Sequence, residues 1–189
     1  MSHTSILQFR TANCKNCYKC IRNCPVKAIR VTNQQAQIIE EQCILCEKCI
    51  AVCPQHAKVE HDDIPAIQRV IASGKKVIAS VHPAYLARYG WNSIGDLEKY
   101  LQKMGFWKAF DAAQGAAVMK EEYTRLLREQ QQKKLVVSSN CPVVVRLIET
   151  KYPHLTEYLA PVYSMKQMHA AYLREQYPDA SIVYISPCI

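Results

Sequence analysis

The chain has 189 residues, 49% of them apolar, enough for one ordinary domain or a small domain plus a medium one. No run of 18 apolar residues occurs and the start, Met1-Ser2-His3-Thr4, lacks the basic-then-apolar signal pattern, so the sequence predicts a cytoplasmic protein with no membrane span. The formal charge of +8 by itself points to an acidic partner, but no aromatic-basic groove motif accompanies it and no nucleic-acid binding is expected.

Ten cysteines in a chain read as cytoplasmic point to metal ligands, and eight of them fall within residues 14–53. The segment Cys14-Lys-Asn-Cys17-Tyr-Lys-Cys20-Ile-Arg-Asn-Cys24-Pro25 recurs 29 residues later as Cys43-Ile-Leu-Cys46-Glu-Lys-Cys49-Ile-Ala-Val-Cys53-Pro54. Lys19 matches Lys48, Ile21 matches Ile50 and Ala28 matches Ala57, which makes this an internal repeat. Each copy spells C-x2-C-x2-C-x3-C-P. Three cysteines at this spacing wrap one face of a 4Fe–4S cubane, and the fourth reaches the cluster of the other copy. One cluster would then take Cys14, Cys17, Cys20 and Cys53, and the other Cys43, Cys46, Cys49 and Cys24. The proline after each fourth cysteine ends the ligand-bearing segment. Zinc, which favours two separated C-x2-C knuckles, and disulfides are the rival readings.

Cluster ligands are thiolates, so the formal charge overstates the true one. Each four-thiolate cluster carries about two net negative charges. The eight Lys/Arg against four Asp/Glu in residues 1–61 read as compensation for them.

These residues closely resemble the bacterial two-cluster ferredoxin family over residues 5–61, with all eight ligand positions filled. The resemblance implies an α+β domain over residues 1–61, with two short β-hairpins flanking two short helices. Ile29–Val31 and Gln37–Ile39 would form the central hairpin, turning at Asn33-Gln34-Gln35. The clusters would be this module's core, so the metal-free form is expected to be unfolded there.

From residue 62 the pattern changes. Asp62-Asp63 caps a helix predicted through Ser73, with Ile64, Ile67, Val70 and Ile71 as its apolar stripe and Gly74 as its stop. A strand follows at Val77–Val81. Ser93 and Asp96 form a capping box for a helix whose stripe is Leu97, Tyr100, Leu101 and Met104, ending at Gly105. A short strand is expected at Ala109–Phe110, then a long charged helix over Ala112–Gln132. Next come a strand at Leu135–Ser138 and a helix from Cys141-Pro142, its proline suited to the first helical position, with Val144, Leu147 and Ile148 inward. A helix over Tyr163–Gln176 and a strand at Ile182–Ile185 complete the series. Alternation of this kind predicts an α/β domain with a mostly parallel sheet over residues 62–189.

Three predicted strands lead into unusual residues: His82-Pro83, Cys141 and Cys188. In parallel sheets ligand sites gather at the carboxyl ends of strands, so Cys141 and Cys188 are expected on one edge of one sheet. Cys141 would also sit at a helix N-terminus, which favours a thiolate. Both cysteines can equally be read as small buried residues.

Ser138-Ser139-Asn140-Cys141-Pro142 resembles the first signature of iron-only hydrogenases, usually T-S-C-C-P, and Ser186-Pro187-Cys188 the start of the second, usually M-P-C-x-x-K. Tyr152-Pro153-His154-Leu155, Ala160-Pro161 and Val81-His82-Pro83-Ala84 are similar to the same family. The resemblance spans residues 62–189 and implies that Cys141 and Cys188 help hold the 4Fe–4S half of the catalytic H-cluster, a partial site here. Asn140 stands where catalytic members carry a proton-relay cysteine, and a carboxamide does not titrate at neutral pH. Ser186 replaces the usual methionine, and His82 a small residue. Glu121 or Glu122 could match the family's proton-path glutamates, with Arg125 where another acid would be expected. The second-signature lysine and the third signature are not in the sequence, which ends one residue after Cys188, so a truncated gene product or fragment is expected.

The resulting expectation is an iron–sulfur electron-transfer or redox- and hydrogen-sensing protein with two 4Fe–4S clusters, served by a redox partner protein and akin to the sensory hydrogenase branch. Electrons would pass from one cubane to the other and on toward Cys141 and Cys188. The alternatives are a fragment of an active hydrogenase, or a ferredoxin module fused to a partner-docking domain.

Overall fold

The structure, a computed structural model, describes residues 6–90, 93–129 and 135–188. They divide into two compact units. One holds the described residues up to Asp62 together with Cys141–Leu159, and the other holds Asp63–Asn140 and Ala160–Cys188.

The first unit has strands β1 (Leu7–Phe9), β2 (Ile29–Thr32), β3 (Gln35–Ile38) and β4 (Lys58–Glu60), with short helices α1 (Lys19–Asn23) and α2 (Lys48–Ala51). Strands β2 and β3 pair antiparallel, Ile29 opposite Ile38 and Thr32 opposite Gln35. Asn33 and Gln34, both at positive φ (50° and 59°), make the two-residue turn whose twist suits a hairpin. Gln35 therefore belongs to the strand, which starts two residues earlier than the sequence suggests. The expected second hairpin is absent among the described residues. Instead β1 pairs with β4, Leu7 opposite Glu60, and joins the two ends of the repeat. The core is small: Leu7, Ala28, Ile29 and Ala36 are buried with Cys24 and Cys49. Helix α7 (Pro142–Lys151) also belongs to this unit, and Pro142 takes its first position as expected. Ile148 is buried, but Val144 is exposed.

The second unit is built on a three-stranded parallel sheet in the order β6 (Lys108–Asp111), β5 (Val77–Val81), β7 (Ser181–Ile185). All of β5 is buried, as a central parallel strand covered on both faces must be. Val77, Ala79 and Val81 pack with Leu101, Phe106 and Ala109 against α3 (Ile64–Ala72) and α5 (Ile94–Lys103). On the opposite face Ser80 meets His169 of α8 (Met165–Gln176). Helix α4 (Tyr85–Tyr89), ended by Gly90 at φ 64°, was not foreseen. Helix α6 runs Ala113–Glu129, and its expected continuation to Gln132 lies outside the described residues.

Helix α5 corrects the expected stripe. Tyr100 and Met104 are 54% and 68% exposed, and Ile94, Leu97 and Leu101 face the core. Its capping box is altered too: the Ser93 hydroxyl donates to the Asp96 carboxylate at 3.1 Å. The expected strand Leu135–Ser138 does not join the sheet. Val137 makes an isolated bridge, its carbonyl accepting the Ala160 N–H at 2.9 Å.

Candidate metal centres

The two copies of the cysteine repeat fold alike to the level of single torsions. Positive φ occurs at Asn16, Tyr18 and Lys27, and again at Leu45, Glu47 and His56, each 29 positions on. These non-glycine left-handed residues are costly and recur because the loops need them. Asn16, Tyr18, Leu45 and Glu47 curl the C-x2-C-x2-C runs, and Lys27 and His56 the turn after each fourth cysteine, where backbone N–H groups reach sulfur. Ala28 N–H donates to Cys24 Sγ at 3.2 Å, and its repeat mate Ala57 donates to Cys53 Sγ at 3.3 Å. Leu45 N–H donates to Cys43 Sγ at 3.4 Å.

Two small chambers result. One is lined by Cys14, Cys17, Cys20 and Cys53. The other is lined by Cys24, Cys43, Cys46 and Cys49. Each chamber thus collects three cysteines of one copy and the fourth of the other. All ten cysteines are free thiols. Among the described residues no three His, Cys, Asp or Glu side chains converge on a point where a single ion could sit. The thiols stand around their chambers. This is a donor set for a soft, multi-iron group larger than one ion.

Electrostatics follows burial. Burial pushes the Cys49 thiol up to about 11, with the neighbouring Cys43 adding to it. It raises Cys20 as well, against the pull of the Lys58 ammonium. Cys43 is raised by burial, and the Leu45 N–H and the Arg146 guanidinium offset part of this. Cys53 goes the other way: burial raises it, but N–H donors of Ala57, Gln55 and Lys58 together with the Lys58 charge outweigh that.

Arg146 belongs to no motif of the sequence. From α7 its Nε donates to the Cys43 carbonyl at 2.8 Å, and a terminal nitrogen donates to the Glu40 carbonyl at 3.1 Å. It fastens the start of the second cysteine loop. Only the three-dimensional return of residues 141–159 to the first unit brings it there.

The remaining predicted residues fall out differently. Cys188 follows β7 at the carboxyl edge of the sheet, where the His82 N–H donates to the Ile185 carbonyl at 2.8 Å. The segment before Cys141 is no strand of the sheet, and Cys141 takes the N-cap position of α7 in the first unit. Both cysteines are exposed, which overturns the buried reading. Asn140 serves the fold, since its Oδ1 accepts the Met165 N–H at 2.9 Å and holds the start of α8. The neighbouring Ser139 N–H donates to the Tyr123 hydroxyl at 3.2 Å, which lies 2.9 Å from Ser138 Oγ. Glu122 pairs with Arg125 on the exposed face of α6.

Two family models match the chain. Residues 13–57 match the family described as 4Fe-4S dicluster domain, and residues 75–189 match that described as iron only hydrogenase large subunit, C-terminal domain. The NADP-reducing hydrogenase subunit HndD of Solidesulfovibrio fructosivorans is 26% identical over 181 residues, 82% of this chain and 31% of that one. A subunit of the ion-translocating oxidoreductase complex of Methanosarcina acetivorans is 50% identical over 44 residues, 23% of this chain and 17% of that one. Among solved structures, an [FeFe]-hydrogenase studied for oxygen inactivation through its two-iron subcluster aligns with TM-score 0.56 and 25% identity, covering 68% of this chain and 39% of that one. HydA(deltaEFG), from work on H-cluster assembly, aligns with TM-score 0.55 and 26% identity, over 68% and 38%. The chain spans less than half the length of each of these four proteins.

Proposed function

The chain belongs to the iron-only hydrogenase large-subunit family, and we propose that it is a two-cluster electron-transfer or redox- and hydrogen-sensing protein rather than a hydrogen-evolving catalyst. Cys14, Cys17, Cys20 and Cys53 would hold one 4Fe–4S cluster, and Cys24, Cys43, Cys46 and Cys49 the other. The observation that carries this reading is the pair of chambers, each lined by four cysteines drawn crosswise from the two copies. The thiols, the backbone donors on sulfur and the apolar walls fit such a group. When bound, each cluster supplies a one-electron couple at low potential.

The residues of the chain do the rest. Backbone N–H groups of Ala57 and Leu45 favour the thiolate at Cys53 and Cys43, and that of Ala28 bonds Cys24 Sγ. Arg146 holds the Cys43 loop. Ile29, Ile38 and Ile44 keep water from the second chamber. Residues 1–61 act as the electron-carrying module, and residues 62–189 as the hydrogenase-like part that meets a redox partner protein. Among the described residues no helix is long and apolar enough to cross a membrane. Cys141 and Cys188 are the residues that would contribute to a partial H-cluster site.

Asn140 supports sensing or electron transfer over catalysis. Its side chain is committed to the α8 start, and a carboxamide neither gains nor loses a proton near neutral pH. Family membership favours the second reading, that the chain is part of a hydrogenase that turns over H2. Holo-protein assayed for H2 uptake and evolution, with reduction followed by electron paramagnetic resonance, separates the two. A reducible signal without turnover is expected. Sustained H2 turnover that survives removal of free iron contradicts the proposal.

A further inference from the structure

Lys58 occupies the position of Ile29, 29 residues on, in the other copy of the repeat. Each follows the alanine whose N–H donates to the fourth cysteine of its own copy. Ile29 lines the chamber of Cys24, Cys43, Cys46 and Cys49, and Lys58 lines that of Cys14, Cys17, Cys20 and Cys53. The two chambers match in thiols and differ at two repeat-matched wall positions that are apolar in one and cationic in the other, Ile29 against Lys58 and Ile44 against Lys15, and of the two cations Lys15 is exposed to solvent while Lys58 is buried.

Lys58 is 2% exposed and, among the described residues, is the sole buried Lys or Arg. Its ammonium donates to the Ala36 carbonyl, a residue of the same chamber, and lies 3.4 Å from the centroid of the Phe9 ring. One carbonyl and a ring face are a thin environment for a buried cation, and among the described residues no carboxylate is paired with it. The charge that can balance it belongs to the thiolates: Cys20 acts on it most strongly, then Cys49, Cys14 and Cys53. Three of those four line its own chamber.

We propose that Lys58 is the internal counter-cation of the centre held by Cys14, Cys17, Cys20 and Cys53, and that it sets that centre's reduction potential above that of its twin. This rests on the two-cluster reading above. Reduction adds one electron from the redox partner protein and makes the thiolate-held group one unit more negative. A fixed, water-shielded positive charge stabilises the reduced form more than the oxidised one, which raises the potential. Ile29 offers the other centre no such charge. The electron then rests by preference in the Lys58 chamber.

The rival account is that Lys58 merely braces β4 against β3 through Ala36. Lys58→Gln keeps a donor for that carbonyl and loses the charge. Lys58→Ile copies the residue that the other chamber already accepts. Lys58→Arg keeps the charge. Each holo-protein is first assayed for iron and sulfide, then titrated against potential with electron paramagnetic resonance and visible absorbance. Wild type is expected to show two separate one-electron waves. At the potential of the upper wild-type midpoint, Lys58→Gln and Lys58→Ile should lower the reduced-to-oxidised ratio of that centre at least tenfold, about 59 mV for one electron, with the lower wave moving less. Lys58→Arg should keep the separation. Fully loaded Gln and Ile variants with an unchanged gap between waves would overturn the proposal. Wild type holding only one cluster would instead remove the two-cluster reading beneath it.

Discussion

Replacing Arg146 with Ala should loosen the second centre while leaving the first alone. Two bonds are lost, one at 2.8 Å to the Cys43 carbonyl and one at 3.1 Å to the Glu40 carbonyl. A hydrogen bond to a charged group contributes about 1.5–3 kcal/mol when shielded. The Glu40 contact is exposed and the Cys43 contact half-buried, so solvent screening brings the pair to about 1–2 kcal/mol in total. That is roughly a 5- to 30-fold change in an equilibrium between a held and a released loop. The Cys43 thiol moves the same way, since the guanidinium is among the forces holding it down against burial. Holo-protein challenged with an iron chelator should lose its absorbance in two phases. Arg146→Ala should accelerate one of them by about that factor, and Arg146→Lys, a single point donor, should fall between. Equal acceleration of both phases, or none, would refute the assignment of Arg146 to the Cys43 loop.

Gly115→Ala should destabilise the second unit by about 1–3 kcal/mol in denaturant unfolding, because the new Cβ would lie 2.5 Å from the Met165 carbonyl oxygen and 2.9 Å from the His169 nitrogen, backbone atoms that cannot swing aside. Gly95→Ala, whose Cβ would meet only Ser93 Oγ at 3.7 Å, should be neutral or slightly stabilising in the same experiment. Asn140→Ala removes the acceptor for the Met165 N–H and should cost about 1 kcal/mol, read as reduced amide protection at the start of α8. Burial holds the His169 imidazole below its ordinary 6.5, so the unfolded chain takes up a proton there before the folded one does. Stability of the second unit should be full above pH 6.5 and decline as the pH falls below it; His169→Gln should flatten that slope.

The sequence exposed the first unit well because metal-ligand spacing is a local code. The crosswise grouping of the fourth cysteine was read from x2 and x3 steps alone, and each chamber is lined by three cysteines of one copy and the fourth of the other. The turn at Asn33-Gln34 was also local. The pairing of β1 with β4 was not, since Leu7 and Glu60 are separated by the whole repeat. In the second unit, β5, β6 and β7 were visible as apolar runs, and their parallel order follows from the helices between them. Leu135–Ser138 carried the same apolar signal and failed. Its backbone groups and hydroxyls find partners in Ala160 and Tyr123 rather than in a neighbouring strand. Of the stripe assigned on spacing, Leu97 and Leu101 face the core, joined there by Ile94, whereas Tyr100 and Met104 fall on the exposed side of the same helix. Arg146 could not be found from sequence, since its partners lie 103 and 106 positions away. Lys58 could have been: setting the two copies side by side places it opposite Ile29, a charge where its twin is apolar.

The most direct test is a chemical count of iron and acid-labile sulfide on anaerobically prepared protein, with electron paramagnetic resonance of the reduced form, for wild type and Cys53→Ser. The account predicts about eight irons and eight sulfides per chain, with the reduced spectrum of two neighbouring cubanes. In Cys53→Ser it predicts damage to the cluster of Cys14, Cys17 and Cys20, and a spared centre at Cys43, Cys46 and Cys49. Zinc in place of iron, or loss of the Cys43 centre in that variant, would contradict it.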